Sequence, residues 1–398
     1  MSVSFSNIAP QNLKSPVNNI IANLSTAELT LLASLLVGLC IQLYYYLWVF
    51  TRVSVRRRRK GPAVEVGTPP VSVVICARNE EDNLRNFLPK VLEQDYPDFE
   101  VVVVNDCSTD GTDMLLSTML GQYPRLRVTS INENAKFMHN KKLALTVGIK
   151  SAKHEWMLLT DADCQPESPR WLASMAERFV QPTELVIGYG GYTAQPGLLN
   201  KLIRFDTMFN AMAYMGFAIN RHPYMAVGRN MAYCKELFFR NRGFASHSHI
   251  ASGDDDLFVR DAANGRNTAV CLAPESFTRS VPCSTRKEWI KQKSRHLSTS
   301  AHYRLGDKVR IIMEPLSRLV TLGAAIALLV MGIMPMAIAI VLIIRYIIQL
   351  LVIKGAMKRL NEKKLLLISP LWDFYSLYLY TKLHLFNKLT PKRTPAWR

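Results

Sequence analysis

The chain has 398 residues, a formal net charge of +18 and 49% apolar residues. That apolar share excludes a disordered chain and is enough for one large core or two ordinary ones. Seven cysteines, an odd number with no C-x-x-C pair, argue against a disulfide framework or a cysteine zinc site and point to reduced thiols.

Residues 29–50, LTLLASLLVGLCIQLYYYLWVF, carry no charge and suit one membrane-spanning helix. Tyr44, Tyr45, Tyr46 and Trp48 gather at its end, where an aromatic belt lies. The unbroken basic run Arg56 to Lys60 follows. This places segment 1–28 outside and the linker 51–69 inside a cell. A cleaved signal peptide fits less well, because the apolar run is long, the charge follows it and no small-residue cleavage site is evident. Beside a span, anionic lipid headgroups are a simpler partner for the basic run than nucleic acid, and no nucleic acid is expected.

Residues 70–300 alternate apolar runs with amphipathic ones. VSVVICA (71–77), FEVVVVND (99–106), LRVTSI (126–131), WMLLTDAD (156–163) and ELVIGYG (184–190) read as strands. Several are continuous and rich in Val and Ile, as when both faces of a parallel sheet are covered. EEDNLRNFLPKVLEQ, GTDMLLSTMLGQ and NKKLALTVGIKSAK read as the helices between them. Strand–helix alternation predicts an α/β domain that binds ligands at the carboxyl ends of its strands.

Residues 301–398 form a second membrane region of two or three helices. The apolar stretch Leu316–Ile353 is too long for one span, which predicts a hairpin breaking near MGIMP (331–335). Arg345 then falls inside a span and must snorkel, pair or face a polar interior. The basic loop 354–364 is expected on the cytoplasmic side. Residues 365–386, with Asp373 and many aromatics, are a span, a re-entrant segment or a surface helix, and the span is favoured.

The strand 156–163 runs into Asp161-Ala162-Asp163. Two carboxylates one residue apart make a turn, or hold a hard divalent cation open to substrate phosphates. Two other strand tips supply company. VVVVNDCSTDGT ends in Asp106 and a small polar loop that also suits a helix cap, and CARNEEDNL brings Arg78, Asn79 and Glu80. Each alone is turn chemistry; three on one edge fit a nucleotide. SGDDDLF (252–258) is a helix start or a site carboxylate, and the two readings are compatible for Asp255. HSH (247–249) reads as a surface loop. FNAMAYMGFAIN (209–220) reads equally as a core helix and as an apolar surface receiving a lipid.

The motifs ICARNEEDNL, VNDCSTDGT, NKKLALTVGIKSAKHEWMLLTDADCQP, GRNMAY and SGDDDLF together resemble the inverting family 2 glycosyltransferases of GT-A fold, over about residues 70–300. The membrane-embedded branch also carries Q-x-x-R-W. Here QKSRH matches at Gln292 and Arg295, with His296 in place of the Trp. The resemblance implies that Asp106 contacts the base, Asp161 lies near ribose and metal, and Asp163 binds Mg²⁺ or Mn²⁺. It places Lys142 near the nucleotide, makes Asp255 the general base with Asp254 supporting it, and gives Gln292 and Arg295 the diphosphate or the acceptor. Because the replaced Trp is linked to stacking on an acceptor sugar, processive extension is the weaker expectation.

The chemistry agrees with those roles. Sugar transfer needs a neutralised diphosphate, a carboxylate base for the acceptor hydroxyl and a fixed nucleotide. Asp163, Asp255 and Asp106, with Arg78 and Glu80 beside it, meet these needs in turn. The expected protein is a multi-pass membrane enzyme, placed in the plasma membrane with its catalytic domain cytoplasmic. It moves a sugar from a nucleotide donor to a lipid-linked or glycan acceptor. A processive polysaccharide synthase needs an export path, which about four spans would line only with a second copy or a partner subunit. A sugar nucleotidyltransferase and a catalytically silent nucleotide-binding scaffold are the remaining alternatives.

Overall fold

The computed structural model describes residues 24–55, 68–132, 140–250 and 252–389; the basic run Arg56–Lys60 lies outside them. The chain opens with α1 (Thr26–Ser54). Ser25 caps it, accepting from Glu28 N while the Glu28 carboxylate accepts from Ser25 N.

A seven-stranded sheet follows. It contains β1 (Val71–Ala77), β2 (Phe99–Asp106), β3 (Leu126–Ile131) and β4 (Trp156–Asp161) as parallel neighbours in the order β3-β2-β1-β4. The helices between them are α2 (Glu81–Leu92), α3 (Thr112–Leu120) and α4 (Lys141–Ser151). The continuous apolar strands have a direct cause in the burial. Val71, Val73 and Ile75 pack with α2 and α3 on one face, while Val74 and Cys76 pack with α4 on the other. The chain reverses its direction of travel across the sheet between β1 and β4, and a crevice opens there at the carboxyl ends.

Beyond β4 come β5 (Cys164–Pro166), α5 (Trp171–Ala176), β6 (Leu185–Ile187), β7 (Gly190–Tyr192), α6 (Leu198–Ile219), β8 (Met231–Cys234), α7 (Lys235–Arg240), α8 (Asp256–Ala262), β9 (Thr268–Val270) and β10 (Thr278–Ser280). The antiparallel β8 joins β4 to β6, and β9 closes that edge. The run 184–190 is therefore not one strand. It divides into β6 and β7, and β7 belongs to a separate three-stranded sheet, β5-β10-β7.

α9 (Arg286–Ser300) leads to α10 (Leu305–Val330), α11 (Pro335–Arg359) and α12 (Ile368–Leu389). The hairpin between α10 and α11 turns where the sequence placed it, with Met334 at φ 44° and Gly332 at φ 72°. Among the described residues three helices are long and apolar enough to cross a membrane: α1, α10 and α11. The favoured third C-terminal span, α12, is not one of them. Asp373 on α12 instead meets Arg345 Nη1 at 2.7 Å and Arg318 Nη1 at 3.4 Å. Glu314 lies 2.5 Å from Arg318, and Gln42 of α1 accepts from Arg345 Nε at 2.8 Å. Arg345 thus pairs inside the helix bundle.

The long C-terminal helices, α1 and the sheet share one core. Tyr45, Phe50 and Val53 of α1 and Trp372 of α12 are buried in the same cluster as α6. A Cβ on Gly216 of α6 would stand 2.5 Å from the Val49 carbonyl oxygen, so only glycine permits that approach. The stretch 209–220 is accordingly a core helix. Of the expected basic loop 354–364, residues 354–359 extend α11, and the part after it is docked too. Glu362, fully buried, accepts from Tyr189 Oη at 2.9 Å and from Arg204 Nη2 at 2.6 Å, and it also pairs with Arg279.

Candidate active site

The tips of β1 and β2 are sewn together by their loops. Asn79 N donates to Ser108 Oγ at 3.0 Å, Thr109 N to Asn79 Oδ1 at 2.8 Å, and Glu80 N to Thr112 Oγ1 at 3.0 Å. Asn79 and Cys107 hold left-handed backbone, at φ 55° and 52°, a conformation concentrated at functional loops. Asp106 is fully buried with Arg78 Nη1 at 3.9 Å. Burial pushes the Glu80 carboxyl up, the charges of Asp163 and Asp161 add to that, and a hydrogen bond from Asn83 opposes it.

Asp161 is the last residue of β4, and Asp163 directly precedes β5. Ligand atoms of Asp161, Asp163 and Cys164 lie within 4.8 Å of one another. Burial, then the charges of Asp163 and Asp161, hold the Cys164 thiol protonated. It donates to Asp163 Oδ1 at 3.3 Å. The available donors are therefore two hard carboxylates, which suit Mg²⁺ or Mn²⁺ better than a thiolate metal. Burial and the Asp161 charge also push the Asp163 carboxyl up, and a bound dication relieves that repulsion. The residues present fit such an ion.

Across the crevice stands the second acidic group. Asp255 caps α8, accepting from Asp256 N at 2.8 Å through Oδ1 and from Gly228 N at 2.8 Å through Oδ2. Burial, with Asp254 and Asp256 adding their charges, raises its carboxyl from 3.8 to about 7. A carboxyl poised there exchanges a proton near neutral pH. Asp254 is buried, yet the Lys141 charge and hydrogen bond hold it low. Asp256 accepts from Tyr303 Oη at 2.7 Å and from Thr299 Oγ1, so it fastens α8 to the end of α9.

Lys141 joins the two groups. Its Nζ lies 2.7 Å from Asp161 Oδ1 and 3.0 Å from Asp254 Oδ2. Lys142 faces the other way. Its Nζ donates to the carbonyls of His247 at 2.7 Å and Ile250 at 2.9 Å. The placement of Lys142 beside the nucleotide is thus corrected. Successive helix residues point about 100° apart, and of two adjacent lysines the first faces the crevice. In the stretch 247–249 His247 is buried, at 1% exposure, while Ser248 and His249 are exposed in a turn. A Cβ on Gly228 would stand 3.3 Å from Lys141 Nζ and 3.5 Å from Asp254 Oδ2. Cys76, Thr160, Asp161, Gly228 and Asp254 line the cavity around Lys141.

Gln292 reaches this region through Tyr192, whose hydroxyl donates to Gln292 Oε1 at 3.4 Å. Arg295 and His296 are exposed on α9. Two basic residues escaped the sequence reading. One is Lys141; the other is Arg229, whose Cζ lies 4.3 Å from the Tyr192 ring centroid. The signal for each was present, in NKK and in GRNMAY, without a direction attached.

Residues 72–239 match the family model described as Glycosyl transferase family 2, and the chain carries a domain of that family. The succinoglycan biosynthesis protein ExoO of Rhizobium meliloti is 32% identical over 117 residues, 29% of this chain and 31% of that protein. The β-monoglucosyldiacylglycerol synthase of a Synechocystis species is 28% identical over 149 residues, 37% of this chain and 29% of that one. The matched stretch spans between 31% and 52% of the length of the first such relatives. Among solved structures, a mannosyltransferase of Pyrobaculum calidifontis in complex with GDP-Man and Mn²⁺ aligns at a TM-score of 0.55. That alignment has 20% identity and covers 88% of this chain and 99% of that one. The fold is of the GT-A type.

Proposed function

We propose that this chain, with its family 2 glycosyltransferase domain, moves a sugar from a nucleotide-sugar donor to a lipid-linked or glycan acceptor at the cytoplasmic face of a membrane. The observation that carries the reading is the opposition of two acidic groups across one crevice. Asp161 and Asp163 would take the donor side and Asp255 the acceptor side, with Lys141 bridging Asp161 and Asp254 between them. A dication held by Asp161 and Asp163 would supply Lewis-acid neutralisation of the donor diphosphate. Asp255 takes the proton of the acceptor hydroxyl as its oxygen bonds to the anomeric carbon. The bond from that carbon to the diphosphate breaks, and the nucleoside diphosphate leaves with its electron pair. Attack opposite the leaving group inverts the anomeric centre. The GDP-Man and Mn²⁺ bound by the Pyrobaculum mannosyltransferase support the donor and metal classes, and the three apolar helices support an acceptor that lives in a bilayer.

The test is a donor screen on purified protein in detergent. A panel of nucleotide sugars is offered with Mg²⁺, with Mn²⁺ or with EDTA, together with a total lipid extract. Metal-dependent release of nucleoside diphosphate with a single shifted lipid supports the reading. High-molecular-weight glycan moves the protein to the processive synthases, where the similarity to poly-β-1,6-N-acetyl-D-glucosamine synthases of Staphylococcus also points. Pyrophosphate release from a sugar phosphate and a nucleoside triphosphate, or no nucleotide binding at all, overturns it.

A further inference from the structure

We propose that Arg229 is a donor-binding residue that grips the diphosphate of the nucleotide sugar from a seat on the Tyr192 ring. The proposal rests on the reading of function above. It assigns to Arg229 the diphosphate contact that the sequence motif offered to Arg295, which stands exposed on α9.

Position comes first. Arg229 follows Gly228, whose N–H holds Asp255. Its own carbonyl accepts from Thr160 Oγ1 at 3.1 Å and from Thr278 Oγ1 at 3.0 Å. Thr160 directly precedes Asp161. The Arg229 backbone is therefore pinned between the strand that ends in the metal-site carboxylates and the loop that orients the base.

The side chain is stacked and largely unspent. The guanidinium carbon lies 4.3 Å from the Tyr192 ring centroid, a cation–π geometry that keeps the fork in place. Nη1 makes only long contacts, to Gly191 O at 3.4 Å and Ser280 Oγ at 3.5 Å. No ion pair within 4.0 Å joins Arg229 to a carboxylate of the described residues. Arg204, Arg279, Arg318 and Arg345 show what a structural arginine does in this protein, since each meets a buried or half-buried carboxylate. A guanidinium carries five N–H donors and accepts nothing. Most of those of Arg229 remain for a group that arrives from the crevice.

Electrostatics say what that group is. Arg229 lies near Asp163 and Asp161 without bonding either. Asp161 and Asp163 carry two negative charges. Asp254, 3.0 Å from Lys141, adds a third, against two positive charges on Lys141 and Arg229, so this end of the crevice is left one charge negative. A dication and the doubly charged diphosphate of a nucleotide sugar enter it together as a neutral pair. The flat fork matches two phosphate oxygens, which a lysine ammonium does not. When the sugar leaves, charge grows on that diphosphate, and a guanidinium fixed beforehand stabilises it without rearranging.

The experiment compares wild-type, Arg229→Met, Arg229→Lys and Tyr192→Leu chains by calorimetry in detergent with Mn²⁺. The probes are the diphosphates of uridine, guanosine, adenosine, cytidine and thymidine, and their parent nucleosides. A charge-assisted contact of about 1.5–3 kcal/mol predicts a loss of roughly 10- to 150-fold in nucleoside diphosphate affinity for Arg229→Met. Nucleoside affinity is expected to stay within twofold. Arg229→Lys recovers part of the loss, and Tyr192→Leu falls between wild type and Arg229→Met. Unchanged diphosphate affinity in Arg229→Met overturns the assignment, as does an equal loss for nucleoside and diphosphate, which marks a merely structural role. If Arg229→Met does not fold, judged by its unfolding midpoint, the Arg229→Lys measurement decides by the same criteria. A wild-type chain that binds no nucleoside or diphosphate overturns the functional reading itself, and this assignment with it.

Discussion

Replacing Asp255 by Asn separates what this carboxyl does for catalysis from what it costs the fold. In the folded chain the group lies near 7, against 3.8 in an exposed chain. Between those values the folded state holds a proton that the unfolded state has released. Stability therefore falls as pH rises through this window and is lowest above about 7. At 1.36 kcal/mol per pH unit the full cost is about 4 kcal/mol. Asn removes the charge but keeps only one acceptor oxygen. The carboxylate oxygens now accept from Gly228 N and Asp256 N separately, at 2.8 Å each, and one of these donors loses its acceptor. That loss takes back about 1–3 kcal/mol. The net expectation at pH 8 is a variant about 1–3 kcal/mol more stable, or a midpoint a few degrees higher, at about 2–4 °C per kcal/mol for a domain of this size. The advantage shrinks by about 1.4 kcal/mol per pH unit below 7. Transfer falls by about 10²–10⁴-fold while donor binding persists. Thermal unfolding in detergent at half-unit steps from pH 5 to 9, alongside a transfer assay, reads both. A variant that transfers at the wild-type rate refutes the base assignment. A stability difference independent of pH refutes the account of the raised carboxyl.

Two more substitutions probe the charges around that group. Lys141→Met removes the cation shared by Asp161 and Asp254. Because Lys141 holds the Asp255 carboxyl down, the acid limb of the transfer profile moves to higher pH; an unmoved limb means Lys141 does not act on the base. Asp373→Leu leaves Arg318 and Arg345 short of a counter-charge inside the helix bundle, at about 3–5 kcal/mol. Its unfolding midpoint in detergent should drop well below wild type and recover in part when Arg345→Leu is added. A single variant as stable as wild type contradicts the pairing.

Much of the sheet was legible because its inner strands are buried on both faces. The runs 71–77 and 99–106 coincide with β1 and β2, since a buried run of β-branched residues bounded by polar tips leaves little choice, and 126–131 coincides with β3, a half-exposed edge strand with alternating apolar residues. The three-residue strands β5, β9 and β10 escaped, and β6 and the start of β7 were read as one run, because so short a segment has no period to read. Their pairing is decided by tertiary partners such as Thr278 and Ser280. The crevice was found from the carboxylates at the strand ends. The choice between Lys141 and Lys142 was not available to sequence, because a helix turns adjacent residues to different faces, and which face meets Asp161 depends on how α4 sits against the sheet. Arg229 was hidden for a related reason. A basic residue announces itself by its surroundings, and Tyr192, Ser280 and Thr160 come to it from three separate strands. In α10 to α12, Arg345 and Asp373 raised the question of pairing, but their partnership spans 28 residues and only the packed helices answer it.

The seat of Glu362 has a consequence for reach. Tyr189, Arg204 and Arg279 clamp the loop between α11 and α12 to the sheet, and α1 shares its core with α6. If the three apolar helices stand in a bilayer, these contacts among the described residues hold the crevice at one height above it. Such an enzyme acts as a gauge. On the proposed function it would serve acceptors whose hydroxyl stands at the matching distance from their lipid anchor. Each added sugar carries the new terminal hydroxyl away from Asp255, so the length of the product is governed by geometry unless the product itself is drawn onward.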